Sequence, residues 1–496
     1  MHVETALANA PDKPETTATA AFDLVTGDRL DQEGKECVLL RGKENWLSQF
    51  SSCPTESMEA TIRQEVRALF ARWLRMENVC LLVGAGASHY VTEFVTSGLY
   101  GAATKLLKGR ATDATLQLLL KYCSEPDGIG TQFESFLSQL AAWRSLTDAS
   151  RWPLEKLIPT LPPLVAASGA SGQEGGNRPG VSRDDIVALL ADLERAIAVA
   201  CNVVLPESTL CQPESTECKW DTTPHEALFA KLVARDPLLG RAKVFTINYD
   251  TLIEQALDRL GILYCDGFVG TVSRQFNPAA YDLDFYYPGQ ATEGKVRRYD
   301  KVVHLYKLHG STNWRQSSRS PATNPYGITF DGAPLPAAAD IAADASGKLL
   351  DSVFGGDAGL AILPTASKYG ESLAMPYAHM FRAFYAALQS PQTVLMVLGY
   401  GGWDEHVNRL IEDALSNPSF TCVIVGPTPE AWARRVCRAD ACGRVFYMGG
   451  EWAKFEHFAL EVLPDLETLR TEIEVAHTMR DLQKRRATDA AGTKAT

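Results

Sequence analysis

Apolar residues recur at helical spacing between Met58 and Asn78, at Ile62, Val66, Leu69, Phe70, Trp73 and Leu74, and predict an amphipathic helix. That helix runs into "VCLLV" at 79–83, a continuous apolar run of the kind shown by strands buried on both faces. Residues 90–235 read as mainly helical, with "FESFLSQLAAW" and "RDDIVALLADLERAIAVACNVVL" as the clearest segments. Gly, Ser and Pro dominate at 162–180 and predict a flexible loop there. From about residue 240 the pattern changes to alternation. Strands at "AKVFTI", "KVVHLYKL", "GLAILP", "TVLMVLGY", "FTCVIVGP" and "GRVFYM" are interleaved with helices at "YDTLIEQALDRL", "DEHVNRLIEDAL" and "PEAWARRVCRA".

Such alternation predicts an α/β fold: a Rossmann-like parallel sheet with helices on both faces and a large helical insertion, about 90–235, after the first strand. A long polar stretch, about 315–359, reads as a flexible insertion or flap. Residues 1–57 read as an irregular extension with one apolar patch at "ECVLLRGKENWLSQF". The main unit is expected over 58–465, followed by a C-terminal helix and disordered tail over 466–496.

The chain has 496 residues, 46% of them hydrophobic, enough for a sizeable core. A net charge of -12 argues against direct nucleic-acid binding. The N-terminal sequence lacks the basic and apolar regions of a signal peptide, and no apolar run approaches membrane-spanning length. A cytoplasmic protein with no membrane association is the expectation. Eleven cysteines occur without any CxxC pair, so a cysteine zinc ribbon is not expected and no other metal set stands out. Cys80 and Cys422 lie in apolar runs and read as buried free thiols.

Candidate chemistry sits at four strand ends, the edge where open parallel sheets bind ligands. In "GAGAS", Gly84 and Gly86 permit a tight turn with backbone amides close to a phosphate, and Ser88 can donate to one. The third glycine of a dinucleotide fingerprint is replaced by His89, so a glycine turn without ligand is an equal reading. In "TINYD", Asn248 and Asp250 can cap the following helix or hold a water, a ribose hydroxyl or an amide. His309 of "LHGS" can be a solvated loop histidine or a group that titrates near neutrality. In "GYGG", Gly399, Gly401 and Gly402 can let an adenosine ribose approach the backbone; Asp404 beyond them reads first as a helix cap.

In this order the four motifs resemble the sirtuin family. The resemblance implies NAD⁺ as a substrate. Gly84, Ala85, Gly86 and Ser88 would hold its pyrophosphate. Asn248 would match the catalytic asparagine, His309 the catalytic histidine, and Asp250 the acidic residue near the carboxamide. Gly310, Gly399, Tyr400 and Gly401 would complete the cofactor-binding set. The absent cysteine ribbon departs from the deacetylases, and "TINYD" is closer to the sirtuin-like NADases of bacterial antiphage defence. That branch implies NAD⁺ hydrolysis to nicotinamide and ADP-ribose, a homo-oligomer, and a partner ATPase (the HerA type among them) or a phage-derived trigger. An NAD-dependent protein deacylase and a non-catalytic NAD- or ADP-ribose-binding module are the alternatives.

Overall fold

The computed structural model describes residues 38–41, 44–45, 56–91, 102–122, 183–207, 222–287, 298–316, 326–354, 358–361, 375–428, 430–469 and 471. In chain order these include strand β1 (Val38–Arg41), strand β2 (Glu44–Asn45), helix α1 (Glu56–Leu74), strand β3 (Asn78–Val83), helix α2 (Ala111–Tyr122), helix α3 (Arg183–Ala200) and helix α4 (Pro224–Val233). Strand β4 (Lys243–Thr246), helix α5 (Leu252–Arg259), β5 (Leu263–Cys265), β6 (Phe268–Val269), β7 (Gln275–Phe276), β8 (Val302–Lys307), β9 (Gly310–Gln316) and β10 (Ile328–Phe330) follow. Then come helices α6 (Ala338–Ala343) and α7 (Lys348–Asp351), β11 (Ala358–Ala361), helix α8 (Tyr377–Gln389), β12 (Thr393–Leu398), helix α9 (Glu405–Ala414), β13 (Phe420–Val425), helix α10 (Ala431–Ala439) and β14 (Val445–Gly449).

A 9-stranded sheet in the order β2-β1-β14-β13-β12-β3-β4-β8-β5 forms the centre. From β14 to β5 every neighbouring pair is parallel. Starting at β3, the chain places β4 and then β8 on one side, and β12, β13 and β14 on the other. This is the doubly wound arrangement, and its reversal falls between β3 and β12.

Period-two alternation divides the strand side chains between two cores. Val79, Leu81 and Val83 of β3 and Val394, Met396 and Leu398 of β12 join one core. Cys80, Leu82, Leu395 and Val397 join the other. The six apolar positions of α1 all bury in the first core, so its apolar face is covered by its own sheet. Met380, Phe384 and Leu388 of α8 and Val407 and Ile411 of α9 cover the opposite face. Each fully buried Leu or Phe contributes about 1.5–3 kcal/mol of transfer free energy. Cys80 and Cys422 are buried free thiols, and burial pushes Cys80 up to about 12.

The structure departs from the sequence reading in three places. Strand β1 lies in the stretch expected to be irregular and pairs antiparallel with β14. Within 315–359, expected to be a flexible insertion, β10 and two short helices form, and Arg110 reaches this segment at the Gly347 carbonyl (2.8 Å) and Asp351 (2.5 Å). Finally, β11-β9-β10-β7-β6 make a second, 5-stranded antiparallel sheet that the sequence did not suggest, and "GLAILP" contributes to it rather than to the main sheet. The segment "FESFLSQLAAW", the loop at 162–180 and the C-terminal tail lie outside the described residues.

Candidate functional site

The four motifs do meet. They follow β3, β4, β8 and β12, which are adjacent in the sheet and parallel, so their carboxyl ends share one edge. "GAGAS" and "GYGG" flank the reversal point and pack backbone to backbone. The Gly84 amide donates to the Leu398 carbonyl (2.9 Å), and the Gly86 amide to that of Gly399 (2.8 Å). A Cβ on Gly84 would lie 2.7 Å from the Gly399 oxygen, and one on Gly399, where φ is +61°, would lie 2.4 Å from the Ala87 nitrogen. These glycines are therefore required first by the contact between two loops. Of the amides expected to face a pyrophosphate, that of Gly86 is turned instead to Gly399. Ala85, which is exposed, is the part of the turn that faces outward.

Behind this turn a buried polar network joins β3 to β4. Asn248 donates both Nδ2 protons, to the Gly84 carbonyl (3.1 Å) and to Ser88 Oγ (3.1 Å). Ser88 Oγ in turn donates to Asp250 Oδ2 (2.8 Å). The Ser88 hydroxyl, expected on a phosphate, is thus a brace between two motifs. Asn248 is no helix cap, since its amide points back to β3. Asp250 does hold the start of α5, accepting from the Leu252 amide at 3.2 Å. Burial pushes the Asp250 carboxyl above its ordinary value, opposed by the Lys307 ammonium and the Ser88 hydroxyl. Asn248 Oδ1 is buried and has no hydrogen-bond partner among the described residues. It is an acceptor, suited to a hydroxyl or a water.

Lys307 was not singled out from the sequence. Its ammonium, buried on β8, binds the Asp250 carbonyl and Glu254 Oε1 (2.9 Å) and so locks the "TINYD" loop. A lysine at the end of a mostly apolar strand was the available signal.

His309 occupies the turn between β8 and β9, where the chain passes from the main sheet to the second. Gly310, with φ at +84°, makes that turn and pairs with Ala361 of β11. The expected exposed histidine is in fact 2% exposed. Its Nε2 lies 3.9 Å from Asp404 Oδ1, and its ring 5.7 Å from that of His406. Asp404, expected to cap α9, makes no side-chain cap bond there and belongs with His309. The Tyr400 side chain, expected at the cofactor, turns inward. Its hydroxyl donates to Asn408 Oδ1 (2.9 Å) and accepts from the Asp404 amide (3.3 Å), and its ring packs on Trp432. Gly399 and Gly401 are half-buried, and the Gly399 backbone is engaged within the protein, its carbonyl accepting from the Gly86 amide (2.8 Å) and its amide donating to the Val425 carbonyl (3.4 Å).

A family model described as a SIR2-like domain matches residues 242–437, less than half of the chain. The matched span holds Asn248, Asp250, His309 and the "GYGG" loop, and it supports the sirtuin-like resemblance and NAD-related chemistry for this region. "GAGAS" lies outside it and joins the site through its contacts with Asn248 and Gly399. No curated protein matches the chain. Among the described residues, no helix is long and apolar enough to cross a membrane.

Proposed function

We propose that the protein is an NAD⁺ hydrolase. It would cleave the bond between nicotinamide and ribose, releasing nicotinamide and ADP-ribose, as an NAD-depleting effector in antiphage defence. The carrying observation is Asn248: both amide protons are fixed by the protein, and a buried acceptor is left over at the strand edge, beside the glycine turn. The residues fit the substrate chemically. Scission of this bond proceeds through an oxocarbenium-like state, and nicotinamide leaves as a neutral molecule. What the protein must supply is position and exclusion of bulk water. Asn248 Oδ1 orients a water or the ribose hydroxyl. His309, in the next motif along the edge, accepts the proton that the attacking water releases. The buried setting of both side chains keeps competing water out.

Incubating purified protein with NAD⁺ alone tests this reading. Release of nicotinamide and ADP-ribose in equal amounts supports hydrolysis. Release only with an acyl-lysine peptide identifies the deacylase alternative, and binding without release the non-catalytic module. Because a trigger is part of the proposed role, the same assay is run with a HerA-type ATPase as candidate partner and with phage lysate. No release under any of these conditions refutes the hydrolase.

A further inference from the structure

One cluster at the site has no duty in this chemistry beyond His309 itself. Asp404 and His406 project from the start of α9 toward the His309 turn, and one donor atom from each of the three side chains lies within 4.8 Å of the others. His309 and Asp404 are buried and His406 half-buried. We propose that His309, Asp404 and His406 bind a divalent transition ion of the zinc type, and that its binding switches the NAD⁺ site off.

The donor set selects the ion class. Two imidazoles and one carboxylate suit zinc and its neighbours, whereas calcium and magnesium take oxygen ligands almost exclusively. Three protein donors with one open position are a common zinc arrangement. Bonds of roughly 2.0–2.2 Å place the donors of a tetrahedral site about 3.4 Å apart. Asp404 and His309 stand at 3.9 Å, so they need little change. His406, half-buried and on its own rotamer, supplies the remaining contraction.

The first turn of a helix carries a partial positive charge that opposes a bound cation. The Asp404 carboxylate, which does not cap its own helix, offsets it. The cysteine spacing argues only against a cysteine ribbon. This set has two members close in sequence and a third nearly a hundred positions away, so no spacing motif reveals it.

Ion binding rests on the geometry alone. The switch rests on the hydrolase reading, since a metal on Nε2 occupies the lone pair with which His309 would accept a proton. The two are separable by experiment. Metal-stripped full-length protein is titrated with Co²⁺ and followed by the visible absorption of four-coordinate cobalt, and with Zn²⁺ by calorimetry. Asp404→Asn and His406→Ala are run beside the parent. One site per chain is expected, with the cobalt band lost in both variants. NAD⁺ cleavage by the parent is expected to fall with zinc. His406→Ala should keep the metal-free rate and need at least about tenfold more zinc for the same inhibition. No cobalt band in the parent, or the same band and affinity in both folded variants, overturns the site. A cobalt band with cleavage indifferent to saturating zinc overturns the switch. Absence of cleavage in every condition refutes the hydrolase and the switch with it, while the cobalt titration still decides the site.

Discussion

Replacing Asn248 with alanine separates a structural role from a chemical one, because the two have different expected sizes. The side chain makes two buried hydrogen bonds through Nδ2. Neither partner is stranded by its loss: the Gly84 carbonyl still accepts from the Ala87 amide (3.0 Å), and Ser88 still donates to Asp250 (2.8 Å). The stability cost should therefore stay near the net worth of two hydrogen bonds, about 1–3 kcal/mol, a few degrees in melting temperature. Loss of a group that positions the reacting water costs roughly 10²–10³ in rate. Asn248→Ala is thus expected to fold, to melt slightly early, and to release nicotinamide at least a hundredfold more slowly at saturating NAD⁺. Asn248→Asp sharpens the test. It keeps Oδ1 but turns an acceptor toward the Gly84 carbonyl and sets a second carboxylate beside Asp250, so it should melt below Asn248→Ala. Product release is followed by chromatography and folding by circular dichroism and thermal melting. A folded Asn248→Ala protein that cleaves at the parent rate refutes the assignment, whatever the hydrogen-bond network shows.

His309→Ala should abolish cleavage while leaving the melt within a few degrees of the parent, and comparable turnover in the folded variant would remove His309 from the reaction. Gly399→Ala forces a Cβ to within 2.4 Å of the Ala87 nitrogen at a left-handed φ, so it should cost more than about 2 kcal/mol and separate the two glycine loops; an unchanged melt would show that their contact is not tight. His225, paired with Tyr90 at 2.7 Å, has its pKa lowered by burial to about 3, from 6.5 when exposed. The unfolded chain thus binds the extra proton first, and stability that is complete above pH 6.5 is lost by about 1.4 kcal/mol per pH unit on descending toward 3. Denaturant titrations of the parent and a folded His225→Gln variant should differ by that slope, and equal slopes would contradict it. Activity is expected to depend on assembly, because an always-active NAD⁺ hydrolase would deplete its own cell; light scattering with rates across a dilution series tests this, and a fully active monomer at every concentration would reject it.

The main sheet was legible because both of its faces are buried. Strands such as "VCLLV" and "TVLMVLGY" then read as unbroken apolar runs, and the helices between them carry an unmistakable apolar stripe. The four ligand-edge motifs were legible for a related reason: each stands where such a run stops. Individual roles were less so. Gly84, Gly86 and Ser88 read equally well as a phosphate cradle or as a packed turn, and only distant segments decide what they touch: Leu398 and Gly399 take the two glycine amides, and Asp250 takes the hydroxyl. Strand β1 escaped because its four residues, one strand in from the sheet edge, are too short a signal beside a long polar stretch.

Strand β9 shows why the second half of the site could not be read. "GSTNWRQ" has no apolar alternation, yet Ser311, Thr312, Trp314 and Arg315 are all buried. Their polar groups are held in two ways: the Thr312 amide and Ser311 hydroxyl donate to the Tyr249 carbonyl of a distant loop, and the Arg315 guanidinium donates to the carbonyls of Thr312 and Trp314 in its own strand and lies over the Phe354 ring. A strand buried through its polar atoms is invisible to a hydrophobic pattern, because its core-forming partners lie outside any local window. The consequence is functional. With β9 taken as loop, His309 seemed to end a strand in solvent. With β9 folded back as a second sheet, the histidine becomes a hinge between two sheets, buried and turned toward the start of α9. That turn brings Asp404 and His406 beside it. The chemistry available at His309, proton acceptance or metal capture, is therefore set by a strand that carries no hydrophobic signal of its own.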